Sequence, residues 1–432
     1  MGNLDYKQIL NKIENTRRFG NEPGVTVTEQ VIRILKEKGK LKADIPFIHV
    51  AGTNGKGSVC AFLTSILMEN GYKVGTFVSP HLIDFEERIM VSEQMISKAD
   101  VTRLGNYLVD IDFGIGLTMF DYCLAMALLY FEEQKCGYMV IETGLGGRLD
   151  STNAIGVPAA EVIAKIGYDH MSILGNDIAG IAAEKAGIIK PHTTVIVEKQ
   201  KPRAMEVIEK TAKEQHANVI HVEDAEIERC SHYDLKLRGK YQWENAAAAE
   251  LTARYLLNDI TSEQKNDISR NIEESAADRI RKGLERATWP GRMELLSTEP
   301  FLMADGAHNS NGVEALKESL MQMYPGEKFR FFMGVMADKD YDVMVREILP
   351  LATEFFTVTP ESSRALQASN LAEFVRNEGV KATELSDESQ IAEHLSQDTK
   401  NIAFGSLYFI GELKKNYNKG AFDEKYSKNI QK

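Results

Sequence analysis

Cysteine is scarce: Cys60, Cys123, Cys136 and Cys230 are the only four in 432 residues, and no two stand at a metal-binding spacing. That excludes a disulfide framework and a paired-cysteine zinc site, and it sets an expectation of a reducing cytoplasm. Basic charge is also short. With Lys+Arg 51 against Asp+Glu 63 the formal net charge is −12, so the basic face needed for nucleic acid or an anionic membrane is missing. No apolar run is long enough to cross a bilayer; Phe120–Phe131 comes nearest, and it is too short and holds Asp121. The opening Met1–Tyr6 has neither the basic nor the apolar region of a signal peptide. Internal repeats and low-complexity segments are absent too. What remains is an ordinary globular composition, 43% hydrophobic and 26% charged, in a chain long enough to call for two domains.

The most informative stretch is Phe47-Ile48-His49-Val50-Ala51-Gly52-Thr53-Asn54-Gly55-Lys56-Gly57-Ser58. A strand-like run breaks into a glycine-rich turn and then enters a helical pattern with Val59, Phe62, Leu63, Ile66 and Leu67 on one face. Such a turn lets backbone N–H groups converge on an anion at a helix N-terminus, with Lys56 to neutralise phosphate and Ser58 to reach its magnesium ion. The run departs from the usual phosphate-loop pattern, because glycine follows Lys56 and the outer glycines are closer together. A strand-to-helix turn that merely needs glycines is the alternative.

Residues 4–40 read as helices around the turn Arg18–Gly24. After the cradle, strands at Lys73–Val78, Tyr138–Ile141, Val162–Ile166 and Thr194–Val197 alternate with helical stretches, which implies a mostly parallel sheet covered on both faces. Ligands bind such sheets outside the carboxyl ends of the strands. Ser58, Ser79, Glu142 and His170 each follow a strand end and are expected at one edge. Thr288-Trp289-Pro290-Gly291-Arg292 reads as a turn or linker, beyond which Phe301–Ala304, Phe331–Val335, Phe355–Val358 and Ile402–Phe404 begin a second, smaller α/β domain. The tail from about Lys415 is polar.

Glu142 closes an apolar strand and faces Gly144-Leu145-Gly146-Gly147, where a carboxylate serves either magnesium or a cap. Lys185 shares a helical face with Ile178 and Ile181, so its amine snorkels to water, lies desolvated, or becomes a carbamate. Asp305-Gly306-Ala307-His308-Asn309 and Gly405-Ser406 follow strands and suit a small anionic substrate, with a turn and a helix cap as the alternatives.

Together these motifs resemble folylpolyglutamate synthase and dihydrofolate synthase of the Mur ligase superfamily. The residues that carry the likeness are Gly52–Ser58, Ser79-Pro80-His81, Glu142 with Gly144–Asp150, Asp169-His170, Glu184–Ile188, Pro290-Gly291-Arg292, Asp305–Asn309 and Gly405-Ser406. The resemblance implies an N-terminal P-loop-type ATPase domain with a mostly parallel sheet, residues 1–290, and a smaller C-terminal Rossmann-like α/β domain, residues 291–432. It implies ATP contacts at Asn54, Gly55, Lys56, Gly57, Ser58, Asn245, Arg292 and Asp305, and magnesium at Ser58, Ser79, Glu142 and His170. Lys185 matches a lysine that the family carries as a carbamate; Asp305 and His308 match catalytic positions, and His308 and Ser406 match glutamate contacts. Thr118, Met119, Phe120, Asp121, Leu149, Asp150 and Ser151 match the pterin-ligand region. Tyr241, Trp289 and Ser310 depart from the family pattern.

The implied reaction joins L-glutamate to a folate carboxylate through an acyl phosphate, in a monomer. Dihydrofolate synthase, alone or combined with that activity, is the nearest alternative. A cell-wall Mur ligase and a nucleotide-binding switch are further ones.

Overall fold

In the computed structural model, which describes residues 3–16, 22–262 and 269–418, the run Phe47–Ala51 becomes β1, buried at every position. Beside it lie β2 (Val74–Phe77), β3 (Ile89–Val91), β4 (Gln94–Met95), β5 (Tyr138–Glu142), β6 (Ala160–Ile163), β7 (Thr194–Val197) and β8 (Asn218–His221). Their order is β4-β3-β2-β5-β1-β6-β7-β8, parallel from β2 to β8, with β3 and β4 added antiparallel. The central strands are largely apolar and buried because helices cover them. One core cluster gathers Ile9, Ile13, Val31, Leu35, Leu104 and Leu124 from four helices with Phe77 and Phe131; a second gathers Ile181, Ile208 and Ala212 with Ile163, Val195 and Val197. All four cysteines are buried and free.

The expected strand Val162–Ile166 is shifted: it begins at Ala160 and ends at Ile163. The cause is local hydrogen bonding. The amides of Lys165 and Ile166 are taken by the side chains of Glu198 (2.8 Å) and Gln200 (2.9 Å), and the Lys165 carbonyl turns to accept the amides of Thr53 (2.8 Å) and Asn54 (3.1 Å). An apolar run thus leaves the sheet to brace the glycine turn. Of the expected Arg18–Gly24 turn, Arg18–Asn21 lies outside the described residues, as does the tail beyond Asn418.

The chain separates into two units, Met1–Lys236 with Trp243–Thr288, and Leu237–Gln242 with Trp289–Lys432. The second unit holds β9 (Glu294–Thr298), β10 (Phe301–Ala304), β11 (Phe329–Met333), β12 (Ala352–Thr357), β13 (Ala382–Glu384) and β14 (Asn401–Phe404). Their order is β13-β12-β11-β14-β10-β9, parallel except for β9 against β10. The expected Phe331–Val335 strand begins two residues earlier and ends at Met333. Phe331 anchors this core, its ring centroid 5.3 Å from that of Phe355 and 5.6 Å from that of Phe404. Phe331→Ala should destabilise the second unit by about 3–5 kcal/mol, read as a lower unfolding midpoint, with Phe331→Leu costing less. Among the described residues, no helix is long and apolar enough to cross a membrane.

Candidate active site

Parallel order alone brings the first set of residues together. β2, β5, β1 and β6 are consecutive in the sheet, so the segments leaving their carboxyl ends line one edge. Gly55 ends the turn after β1 with φ 88°, a left-handed conformation that glycine adopts at little cost. A Cβ there would also lie 2.3 Å from Oδ1 of Asn245, which is how closely that buried side chain approaches the turn. The helix Lys56–Glu69 follows, and its first backbone bond of this turn runs from Val59 N–H to the Gly55 carbonyl. The amides ahead of Val59 fall outside the helical ladder and form an anion-binding end. Because the Thr53 and Asn54 amides are spent on Lys165, the cradle starts at Gly55.

Lys56 Nζ lies 3.6 Å from Oε1 of Glu142 and 3.4 Å from the Thr53 carbonyl. Glu142 is buried at the end of β5, and its Oε2 accepts the Ser79 amide at 3.3 Å. Ser58 is buried in the first turn of the helix. The structure therefore unites Lys56, Glu142 and Ser79 directly. His170 is exposed, with φ 50°, where the short helix Met171–Leu174 begins.

Among the described residues, no three His, Cys, Asp or Glu side chains gather around a metal-sized space. One carboxylate with hydroxyls is instead a partial, hard-oxygen set. It fits magnesium, which keeps waters and takes phosphate oxygens from its substrate.

Lys185 is 5% exposed, in the helix Ile178–Ala186, and its Nζ donates to the Gly52 carbonyl at 2.8 Å. Burial, with the Lys56 charge adding to it, pulls the amine down to about 7. Of the three readings open from sequence, snorkelling is overturned: the amine points inward to the glycine turn.

The expected pterin-ligand residues turn out to hold one another. Thr118 and Asp121 form a capping box at the start of the helix Met119–Glu133, and Asp121 Oδ1 also accepts the Ser151 hydroxyl at 2.6 Å. Asp150 Oδ2 accepts the Leu145 amide at 2.8 Å, and its Oδ1 accepts the Thr152 amide at 3.0 Å. The polar groups thus build a frame, and Leu149 beside it is 42% exposed. Phe120 packs edge-on against Phe77 at 5.4 Å.

In the second unit Asp305 is a buried acceptor for three donors. Tyr241 Oη (3.1 Å) and the Met293 amide (2.8 Å) reach Oδ2, and the Ala307 amide (2.8 Å) reaches Oδ1. Tyr241, seen in the sequence only as a departure from pattern, thus proves to be a partner of Asp305. Arg292 lies against the same turn: a Cβ on Gly306 would come within 2.4 Å of its Nη1. His308 Nδ1 is 2.7 Å from the Gly306 carbonyl. A carbonyl only accepts, so Nδ1 carries the proton and Nε2 is the basic nitrogen of the neutral ring. Ser406 Oγ accepts the Tyr408 amide at 3.1 Å, a helix cap that leaves its O–H to donate. Tyr241→Phe removes one donor from a buried carboxylate; a loss of about 1.5–3 kcal/mol is expected in unfolding of the second unit.

Residues 50–253 match the Mur ligase middle domain, and residues 291–403 match the Mur ligase glutamate ligase domain. The dihydrofolate synthase/folylpolyglutamate synthase of Bacillus subtilis is 34% identical over 448 residues, covering 95% of this chain and 98% of the relative. Escherichia coli FolC in complex with DHPP and ADP superposes with a TM-score of 0.80 at 27% identity, covering 96% of this chain and 98% of that one. The bifunctional folylpolyglutamate synthase/dihydrofolate synthase of Yersinia pestis, complexed with AMPPNP and Mn ion, gives the same TM-score of 0.80, identity of 27% and coverage of 96% and 98%. On this likeness, which spans both units and nearly the full length of each relative, the chain belongs to the folylpolyglutamate synthase/dihydrofolate synthase family of Mur ligases.

Proposed function

We propose that this chain is an ATP-dependent ligase that joins L-glutamate to the carboxylate of a folate through an acyl phosphate. The observation that carries the reading is the meeting of Lys56, Glu142 and Ser79 beside the Gly55–Ser58 cradle at the sheet edge. Phosphoryl transfer to a carboxylate brings two anions together, so it needs fixed positive charge and positioning more than covalent chemistry.

In this reading residues 1–290 bind nucleotide and folate. Gly55, Lys56, Gly57 and Ser58 cradle the phosphates, with Asn54 reaching the nucleotide through its side chain and Asn245 packed against the turn. Ser58, Ser79, Glu142 and His170 would hold magnesium, which when bound neutralises phosphoryl oxygens. The Mn ion and AMPPNP of the Yersinia relative, and the ADP of the Escherichia coli one, support a nucleotide with a divalent cation. Thr118, Met119, Phe120, Asp121, Leu149, Asp150 and Ser151 frame the pterin end, a role in keeping with the DHPP of that relative. Residues 291–432 serve as the glutamate ligase domain. Arg292 and Asp305 contact the nucleotide, and Ser406 donates to a glutamate carboxylate. His308, through Nε2, takes the proton that the glutamate amine must lose before it attacks. The protein works as a monomer in the cytoplasm.

The second reading is dihydrofolate synthase activity, separately or in the same protein. It is favoured by the Bacillus subtilis relative, whose name carries both activities. The test is phosphate release from MgATP with glutamate and either tetrahydrofolate or dihydropteroate, with product masses read for added glutamyl units. Release with tetrahydrofolate alone supports the first reading, release with both makes the enzyme bifunctional, and release with neither refutes the assignment.

A further inference from the structure

His49 is a polar ring in the middle of an apolar strand, 1% exposed, and nothing in the reaction as set out above uses it. Its Nε2 lies 2.8 Å from the hydroxyl of Thr152, which is fully buried. The direction of that bond follows from its neighbour. The Thr152 hydroxyl donates to Asp150 Oδ1 at 2.5 Å, while Asp150 also accepts the Thr152 amide at 3.0 Å and the Leu145 amide at 2.8 Å. Burial pushes the Asp150 carboxyl up from its ordinary value and its hydrogen bonds oppose that shift; the geometry makes both of its oxygens acceptors. The single hydroxyl proton is therefore spent on Asp150, and Thr152 must accept from His49, which fixes the Nε2–H tautomer. Burial keeps the ring neutral, as that tautomer requires.

The relay joins two parts of the site that are distant in sequence. His49 belongs to β1, which runs straight into the phosphate turn, and Asp150 ties Leu145, just after Glu142, to the loop that carries Leu149 and Ser151. On its other side the same loop is held by Asp121 through Ser151. We propose that His49 is a positioning residue: through Thr152 and Asp150 it sets the pterin-side loop against the phosphate-side strand, and so it governs use of the folate substrate rather than of ATP. This rests on the function proposed above for the Leu149–Ser151 loop.

Three single variants and one double variant test it. His49→Leu removes the donor, Thr152→Val removes the hydroxyl, and His49→Gln keeps an amide N–H at similar reach. KM for the pterin substrate should rise about tenfold or more in His49→Leu and Thr152→Val, while KM for ATP stays within about twofold. The double variant His49→Leu/Thr152→Val should be no worse than either single one, and His49→Gln should recover most of the loss. Equal rises in both KM values, no rise at all, or a His49→Gln as poor as His49→Leu would overturn the proposal. Hydrogen exchange at the Leu145 and Thr152 amides separates this proposal from the function beneath it. Should the wild-type protein turn over no folate, faster exchange in His49→Leu and Thr152→Val, restored in His49→Gln, still supports the relay, and unchanged exchange refutes it.

Discussion

Lys56→Met should lower kcat for glutamate ligation by about 10³-fold or more while the protein stays folded. The ammonium group is held 3.6 Å from the Glu142 carboxylate and 3.4 Å from the Thr53 carbonyl, beside the cradle. That preorganisation is what makes one charge matter: the site does not have to rearrange as negative charge moves between phosphate and carboxylate. A methionine of similar length keeps the packing of the stem and loses only the charge. Glu142, buried beside it, then loses its cation, so a modest fall in stability accompanies the loss of rate. Steady-state kinetics with saturating MgATP, together with an unfolding midpoint, check both parts. A variant with unchanged kcat would show that Lys56 belongs to the fold and not to the chemistry.

Lys185→Met should do the opposite to stability and much the same to rate. Burial pulls the amine from its ordinary value of 10.5 down to about 7, so between those values the unfolded chain binds more protons than the native protein. Stability contributed by this group therefore rises with pH from about 7 to 10.5 and is lowest where the buried amine must carry charge. At pH 7 the penalty is about 4 kcal/mol, of which about 1–3 kcal/mol is given back when the variant leaves the Gly52 carbonyl without its donor. A net gain of about 1–3 kcal/mol at pH 7 is expected, with the pH dependence between 7 and 10 flattened. Activity should fall about 10²–10³-fold, because a residue held at such a cost beside the phosphate turn is held for function. If the amine works as a carbamate, formed by attack of its neutral nitrogen on CO₂ with loss of a proton, depleting dissolved CO₂ lowers wild-type activity and bicarbonate restores it. The methionine variant should be indifferent to both. Denaturant unfolding at pH 7 and 10, and activity with and without bicarbonate, make the measurement.

How far these residues were legible in the sequence depended on whether their partners are local. The cradle could be read because strand, glycines, lysine and helix are contiguous, and the helix Ile178–Ala186 buries Ile178, Ile181 and Lys185 together because their spacing is local. The hairpin of β3 and β4 escaped notice since it is only a few residues long and Gln94 and Met95 are exposed, so it has no apolar period to betray it. The end of β6 was misplaced for a different reason. Val162–Ile166 is uniform in hydropathy apart from Lys165, and only the side chains of Glu198 and Gln200, some 30 residues on, decide that its last part brackets the glycine turn instead of extending the sheet. Lys185 showed the same limit. Periodicity placed it on the apolar face and could not say where the amine went; the Gly52 carbonyl, which sets its direction, is 133 residues away. His49 left a readable trace, a histidine inside an apolar strand, but its meaning lay in Thr152 and Asp150, brought to it only by the fold.

The most direct test of the account follows the oxygen of the folate carboxylate. With a folate substrate labelled with ¹⁸O in the reacting carboxylate, an acyl-phosphate route requires one carboxylate oxygen to leave with phosphate when glutamate attacks. Mass spectrometry of the phosphate released as the first glutamyl unit is added should show one ¹⁸O atom. Phosphate free of label, alongside normal formation of the amide product, would contradict the mechanism and leave the Lys56, Glu142 and Ser79 edge without the role assigned to it.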